Sequence, residues 1–222
     1  MKTIRSLLFI PAEERRLSKI GQTNADAYII DLEDSIALED KDISLQRTIT
    51  FLASCAADNI FVRINKQRHI SELDALKHFN VGFMLPKIEA EADYSDAEES
   101  LRDHKVIALI ETPRALLNAD AIGSISWVSA LAFGAEDFSV ATNTLNELCT
   151  LAMPKQMLVL AAKANNKKIA IIPGFTWALK IMSHFTPFIN KAFGSMSYDA
   201  EKGEYQKYTT KESIKKMEAK YE

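Results

Sequence analysis

The sequence predicts an α/β fold, a compact (β/α)8 TIM barrel in a single domain over residues 1–222, and three observations predict it. Short apolar runs recur along the chain, a longer segment of helical character follows each, and nearly every run ends in charged or amide side chains. The runs cover residues 6–10, 27–32, 60–65, 81–86, 106–111, 130–134 and 169–173, with 192–198 a fainter eighth. They are apolar throughout rather than alternating, as parallel strands buried on both faces are. An open doubly wound sheet also carries βα units in this order, so the strand ends discriminate. An open sheet gathers its chemistry at one switch point. Here Asp31 and Glu33, Arg63 and Asn65, Lys87, Glu111, then Glu136 and Asp137 stand at successive run ends, the way a barrel builds one mouth. Barrels run to about 250 residues, so 222 calls for short loops or a reduced last unit.

Between the runs, residues 40–56 read as a helix, with Leu45, Ile49, Leu52, Ala53 and Ala56 on one stripe. Pro154 is expected near the start of another, with residues 157–164 apolar enough to be well buried. Thr209 and Glu212 form a candidate capping box for a closing helix that lines up Ile214, Met217 and Tyr221.

Composition excludes several classes. The 27 basic and 30 acidic residues give a formal charge of −3, not the basic excess of a nucleic-acid binder. Cys55 and Cys149 are far apart and make no metal-ligand spacing, which suits a reducing compartment. The apolar run at the N-terminus ends at once in Glu13, Glu14, Arg15 and Arg16, too soon for a signal peptide, and no stretch is long enough to span a bilayer. A cytoplasmic protein with no membrane partner is expected.

Glu111 and Asp137 close consecutive predicted strands, which makes their carboxylates neighbours. Mg²⁺ is commonly held by one or two carboxylates, with water and substrate oxygens completing its shell; a 2-oxo acid offers two such oxygens. The alternative role for both is to cap the helices that follow. Arg63 lies in an otherwise apolar strand, so it needs a partner. Asp31 or Glu33 can supply one, and the same guanidinium can orient a substrate carboxylate and stabilise an oxyanion. Asp31 and Glu33 share a face of their strand, and Asp34 lies beyond them in the loop. Clustered carboxylates raise one another's pKa, which suits a general base or acid, although a solvated helix start is an equal reading of Asp34. His69, His78, His104 and His184 make no ligand pair, and there is no Gly-rich phosphate loop, nucleophile elbow or Cys–His signature.

Taken in order, these segments resemble the citrate lyase beta-subunit and malyl-CoA lyase family of the HpcH/HpaI aldolase superfamily. The resemblance rests on Arg5-Ser6-Leu7-Leu8-Phe9-Ile10-Pro11, then Tyr28-Ile29-Ile30-Asp31-Leu32-Glu33-Asp34-Ser35 with Lys41 and Arg47. It continues through Val62-Arg63-Ile64-Asn65, Met84-Leu85-Pro86-Lys87, Ile110-Glu111-Thr112 and Ala132-Phe133-Gly134-Ala135-Glu136-Asp137. It implies a (β/α)8 barrel assembled as a homotrimer or hexamer, with Mg²⁺ on Glu111 and Asp137 and Arg63 facing the substrate carboxylate and enolate. Asp34 stands where related aldolases carry a histidine base. The implied reaction is reversible carbon–carbon cleavage of a hydroxyacyl-CoA or hydroxy-oxo acid, with a CoA thioester, if used, depending on Lys41 or Arg47.

Departures accompany the resemblance. The opening loop reads Pro11-Ala12-Glu13-Glu14 where the family usually has Gly followed by Asn and Arg, and Ala115 replaces a usual glycine. Ile171-Ile172-Pro173 carries no histidine, and the C-terminal extension that lids the site is expected to be short or missing. Two alternatives to a CoA-linked lyase follow. One is a non-CoA aldolase of a specialised pathway; the other is a degenerate barrel that binds a 2-oxo acid or a protein without turnover.

Overall fold

A computed structural model of the chain describes residues 6–23, 25–172, 195–199 and 204–208. Seven strands form one sheet: β1 (Leu7–Pro11), β2 (Ala27–Asp31), β3 (Ile60–Arg63), β4 (Gly82–Leu85), β5 (Val106–Ile110), β6 (Ala130–Gly134) and β7 (Lys168–Ile172). Every neighbour is parallel and spatial order follows chain order, β1 to β7. No strand inserts out of order, so the sheet has none of the reversal that defines a doubly wound fold.

The connecting helices are α1 (Glu14–Leu17), α2 (Lys41–Ser54), α3 (His69–Leu76), α4 (Glu98–Leu101), α5 (Pro113–Leu117), α6 (Ala119–Ser124), α7 (Ala135–Thr142) and α8 (Leu148–Ala164). Their apolar stripes pack on one face of the sheet. Leu17, Leu45, Leu52, Leu73, Leu76, Leu101, Leu116, Ile122 and Leu158 join Ile30, Val62, Phe83, Leu85, Ala108, Ile110, Leu131 and Phe133 in the main core. The opposite face carries a smaller apolar cluster made of strand residues alone: Ala27, Ile29, Phe61, Met84, Ile107, Leu109 and Ala132. Strand side chains alternate with a period of two. The next positions on that second face are therefore Asp31 after Ile29, Arg63 after Phe61, Glu111 after Leu109 and Gly134 after Ala132. The apolar floor and the polar residues above it belong to one column of side chains.

Two expectations need correction. Pro154 does not begin a helix; it lies inside α8, which starts six residues earlier at Leu148. Nor are residues 157–164 buried all round: Leu158 and Ala162 are in the core while Leu160 is exposed, because α8 packs by one face only. The eighth run also behaves differently. Residues 195–199 form β8 (Ser195–Asp199), which pairs antiparallel with β9 (Glu204–Tyr208) rather than in parallel as a barrel strand would. The chain divides into two compact units, within Met1–Pro173 and Gly174–Glu222, and this hairpin belongs to the second. The expected closing helix at 209–222 lies outside the described residues, as does His184. Among the described residues, no helix is long and apolar enough to cross a membrane.

Candidate active site

The register of β2 and β3 places Asp31 beside Arg63, each the last residue of its strand. The guanidinium meets the carboxylate side-on: Nε donates to Oδ1 at 2.8 Å and Nη2 to Oδ2 at 2.8 Å. The same two oxygens accept the backbone N–H groups of Glu33, at 2.9 Å, and Ser35, at 3.1 Å. Asp31 thus fixes both the Arg63 plane and the turn after β2. Burial alone would raise its pKa, but the Arg63 hydrogen bonds and charge outweigh it and hold the carboxyl below the usual range. For Arg63, burial works against the charge, and the hydrogen bonds and charges of Asp31, then Asp34 and Glu33, overcome it and raise its pKa.

That turn carries the other acids inward. Arg63 Nη1 donates to Asp34 Oδ2 at 2.9 Å and lies 3.2 Å from Glu33 Oε2, an ion pair without hydrogen-bond geometry. Burial raises the Glu33 pKa against the pull of Arg63 and Lys87. Asp34 remains half exposed at the edge of the cluster. Lys87, which follows β4 and Pro86, places Nζ 2.7 Å from Glu33 Oε1 and 3.8 Å from Asp34 Oδ1.

Glu111 follows β5 and is buried to 2% exposure. Its Oε2 accepts the Lys87 backbone N–H at 3.0 Å. Gly134 makes room for it, since a Cβ there would stand 2.6 Å from Glu111 Cγ and 3.1 Å from Oε1. Burial first, then the charges of Asp137 and Glu33, push the Glu111 carboxyl up to about 8. Asp137 is exposed in the first turn of α7 rather than at a strand end. The capping alternative fails for Glu111, because Thr112 caps α5 with its side chain and Pro113 follows at the first helical position.

The carboxylates of Asp31, Glu33 and Asp34 thus pair with two cations, Arg63 and Lys87, while Glu111 feels the charges of Asp137 and Glu33. Among the described residues, no group of three or more His, Cys, Asp or Glu forms a ready-made metal cage. A carboxylate pair with open surroundings is nonetheless what Mg²⁺ uses when substrate and water complete its shell. Burial first and then the charge of Asp137 raise Glu111, and a divalent cation between the two carboxylates would offset the second of these.

The structure separates the two basic residues expected near a CoA ligand. The Lys41 ammonium is buried and donates to the carbonyls of Leu32, at 2.8 Å, and Glu33, at 2.5 Å. It braces the acidic turn through these two carbonyls. Arg47 lines a cleft of about 350 Å³ with Glu13, Glu14, Ser35, Ile36, Ala37, Asp40 and Ser44. Two histidines serve the scaffold: His69 bonds to the Lys66 carbonyl and Asp96, and His104 to the Val81 carbonyl.

Three supports had no assigned role in the sequence. Asn65 donates its side-chain amide to the Leu32 carbonyl at 2.9 Å, and Glu72 accepts from the Asn65 backbone and side chain, both at 2.7 Å. Lys87 is the third. Asn65 and Lys87 were visible as strand-end residues; Glu72, on α3, gave no signal in the sequence.

Several known proteins share the sequence pattern and the fold. The chain is similar to a (3S)-malyl-CoA thioesterase of Cereibacter sphaeroides, 29% identical over 185 residues, 79% of this chain and 64% of the relative. It is similar also to the citrate lyase subunit beta of Escherichia coli K12, 31% identical over 156 residues, 62% of this chain and 52% of the relative. The chain therefore spans less than two thirds of the length of these relatives. A solved citrate lyase beta subunit from M. tuberculosis, complexed with oxaloacetate and magnesium, shares the fold with a TM-score of 0.66 at 23% identity, covering 81% of this chain and 83% of that one. Residues 5–188 match the HpcH/HpaI aldolase/citrate lyase family, and the chain belongs to it.

Proposed function

We propose that the protein is a Mg²⁺-dependent carbon–carbon lyase or aldolase that cleaves or forms a small hydroxy-oxo acid or its CoA thioester. The observation that carries this reading is the buried Glu111 carboxyl, which feels the charge of Asp137, in a site where Asp31, Glu33 and Asp34 pair with Arg63 and Lys87. Family membership supports it, as do the oxaloacetate and magnesium held by the M. tuberculosis protein.

In this reading Glu111 and Asp137 hold the ion, which when bound supplies Lewis-acid polarisation and a template for the oxo-acid oxygens. Arg63 spends three of its five N–H donors on Asp31 and Asp34, and the remaining two meet the oxyanion that develops as the carbon–carbon bond breaks. Asp31 keeps its four acceptor positions on Arg63 and the turn, so it orients rather than transfers a proton. Asp34, half exposed and at the edge of the cluster, takes the substrate hydroxyl proton; the bond's electron pair passes to the neighbouring carbonyl beside Arg63. Glu33 sets the charge between Arg63 and Lys87.

The malyl-CoA thioesterase likeness favours a thioester substrate, whereas the acidic lining of the Arg47 cleft disfavours the phosphate charges of CoA. Calorimetric titration with oxaloacetate and pyruvate, in Mg²⁺ and in chelator, tests the metal site. Asp137→Asn is expected to abolish Mg²⁺-dependent binding with the fold intact by circular dichroism. Unchanged binding by that variant would remove the metal assignment. Absence of binding by the wild type under every condition would leave a non-catalytic barrel.

A further inference from the structure

We propose that Lys87 is a positioning residue that holds the two parts of this site, the Glu111 carboxylate and the Glu33–Asp34 turn, in register. The inference rests on the lyase reading above and deepens it. Lys87 has a left-handed backbone, with φ of 53°, a conformation that costs a side-chain-bearing residue and is usually left to Gly or Asn. Such conformations persist where the surroundings over-determine them, and here three successive backbone groups are clamped. The buried Tyr94 hydroxyl donates to the Pro86 carbonyl at 2.7 Å. The Lys87 N–H donates to Glu111 Oε2 at 3.0 Å, and the Lys87 carbonyl accepts from Lys66 Nζ at 2.8 Å. Lys66 is itself anchored 2.7 Å from Asp93 Oδ1.

The side chain explains why glycine does not occupy this turn. Its ammonium crosses to Glu33 Oε1 at 2.7 Å and lies 3.8 Å from Asp34 Oδ1. One residue therefore directs its backbone to the candidate metal ligand and its charge to the candidate proton-transfer loop. Removing the ammonium leaves Glu33 with Arg63 as its remaining cation, so its charge beside Glu111 is less well compensated. Lys87 acts through these neighbours rather than on the substrate.

Lys87→Gly separates the two contributions, because glycine keeps the N–H and accepts the left-handed turn while losing the charge. Its affinity for Mg²⁺ alone is expected to stay within about threefold of wild type, while Mg²⁺-dependent oxaloacetate binding weakens about tenfold or more. Lys87→Arg, which restores a cation, is expected to recover most of that loss. In metal-free full-length protein, amide exchange over residues 33–36 should accelerate in Lys87→Gly and return in Lys87→Arg. Wild-type oxaloacetate binding by Lys87→Gly, or equal losses of Mg²⁺ and oxaloacetate affinity, would overturn the proposal. If wild-type protein takes neither ligand, the lyase reading fails separately. The exchange data then decide the role of Lys87: arginine-reversible acceleration sustains it and unchanged exchange overturns it.

Discussion

Arg63 and Asp31 form the most heavily bonded pair of the site, and their physical chemistry has a measurable consequence. An arginine in an apolar strand cannot stay unpaired, and the partner appears one strand away in register. Removing one member leaves the other buried and uncompensated, so Asp31→Ala should destabilise the fold by about 3–5 kcal/mol. The pH dependence has a definite sign. Asp31 is held below its ordinary value of 3.8, so the stability contributed by its ionised form is complete above about pH 4 and is lost as pH falls through the lowered folded-state value. Denaturant melts of wild type and Asp31→Ala should converge as pH falls below 4, and a constant difference would contradict the assignment. This pair was legible from the sequence. The left-handed turn at Lys87 was not, because nothing in Leu85-Pro86-Lys87 distinguishes a strained lysine from an ordinary strand end.

At the scale of elements, apolar runs reveal strands well when the strands are buried on both faces. All seven runs within the first unit became parallel strands, with ends displaced by two residues at most. The runs extended past several strands because Ile64, Asn65 and Glu111 continue the buried pattern into the loops after hydrogen bonding stops. Residues 195–199 share the polarity of a hairpin strand more than that of a barrel strand: Ser195, Ser197 and Asp199 alternate with Met196 and Tyr198. Helix α8 shows the limit of reading burial from composition. Its residues 157–164 are nearly all apolar, yet Leu158 is fully buried and Leu160 is 71% exposed. Leu158→Ala should cost about 2–5 kcal/mol through the cavity it leaves, and Leu160→Ala should stay within about 0.5 kcal/mol. Chemical denaturation of both variants measures the contrast, and equal effects would mean that α8 packs by both faces.

At the scale of the molecule, charge placement bears on which substrate can be admitted. The formal charge of −3 is modest, but its distribution near the mouth is not neutral. Glu13, Glu14 and Asp40 share the 350 Å³ cleft with a lone arginine, Arg47, while Lys41 spends its ammonium on backbone carbonyls beneath the turn. Among the described residues, the Glu13 carboxylate has a long contact, 4.0 Å, with Arg16, too exposed to neutralise it. Coenzyme A brings several phosphate charges, so a cleft of this sign resists it. The two glutamates occupy the loop where the family resemblance leads one to expect Asn and Arg, which makes the effect reversible by substitution. Replacing Glu13→Asn together with Glu14→Arg shifts the cleft by three charge units. Exposed charge pairs contribute about 0.2–1 kcal/mol each, so acetyl-CoA affinity should rise about tenfold. Because these charges face solvent, the gain should shrink as ionic strength rises and the Debye length shortens. Oxaloacetate binding, which the proposed function assigns to Arg63, Glu111 and Asp137 rather than to this cleft, should be unchanged in the same variant. If wild-type protein already binds acetyl-CoA as tightly as the variant, the acidic loop is no barrier, and thioester chemistry becomes the better description of the site.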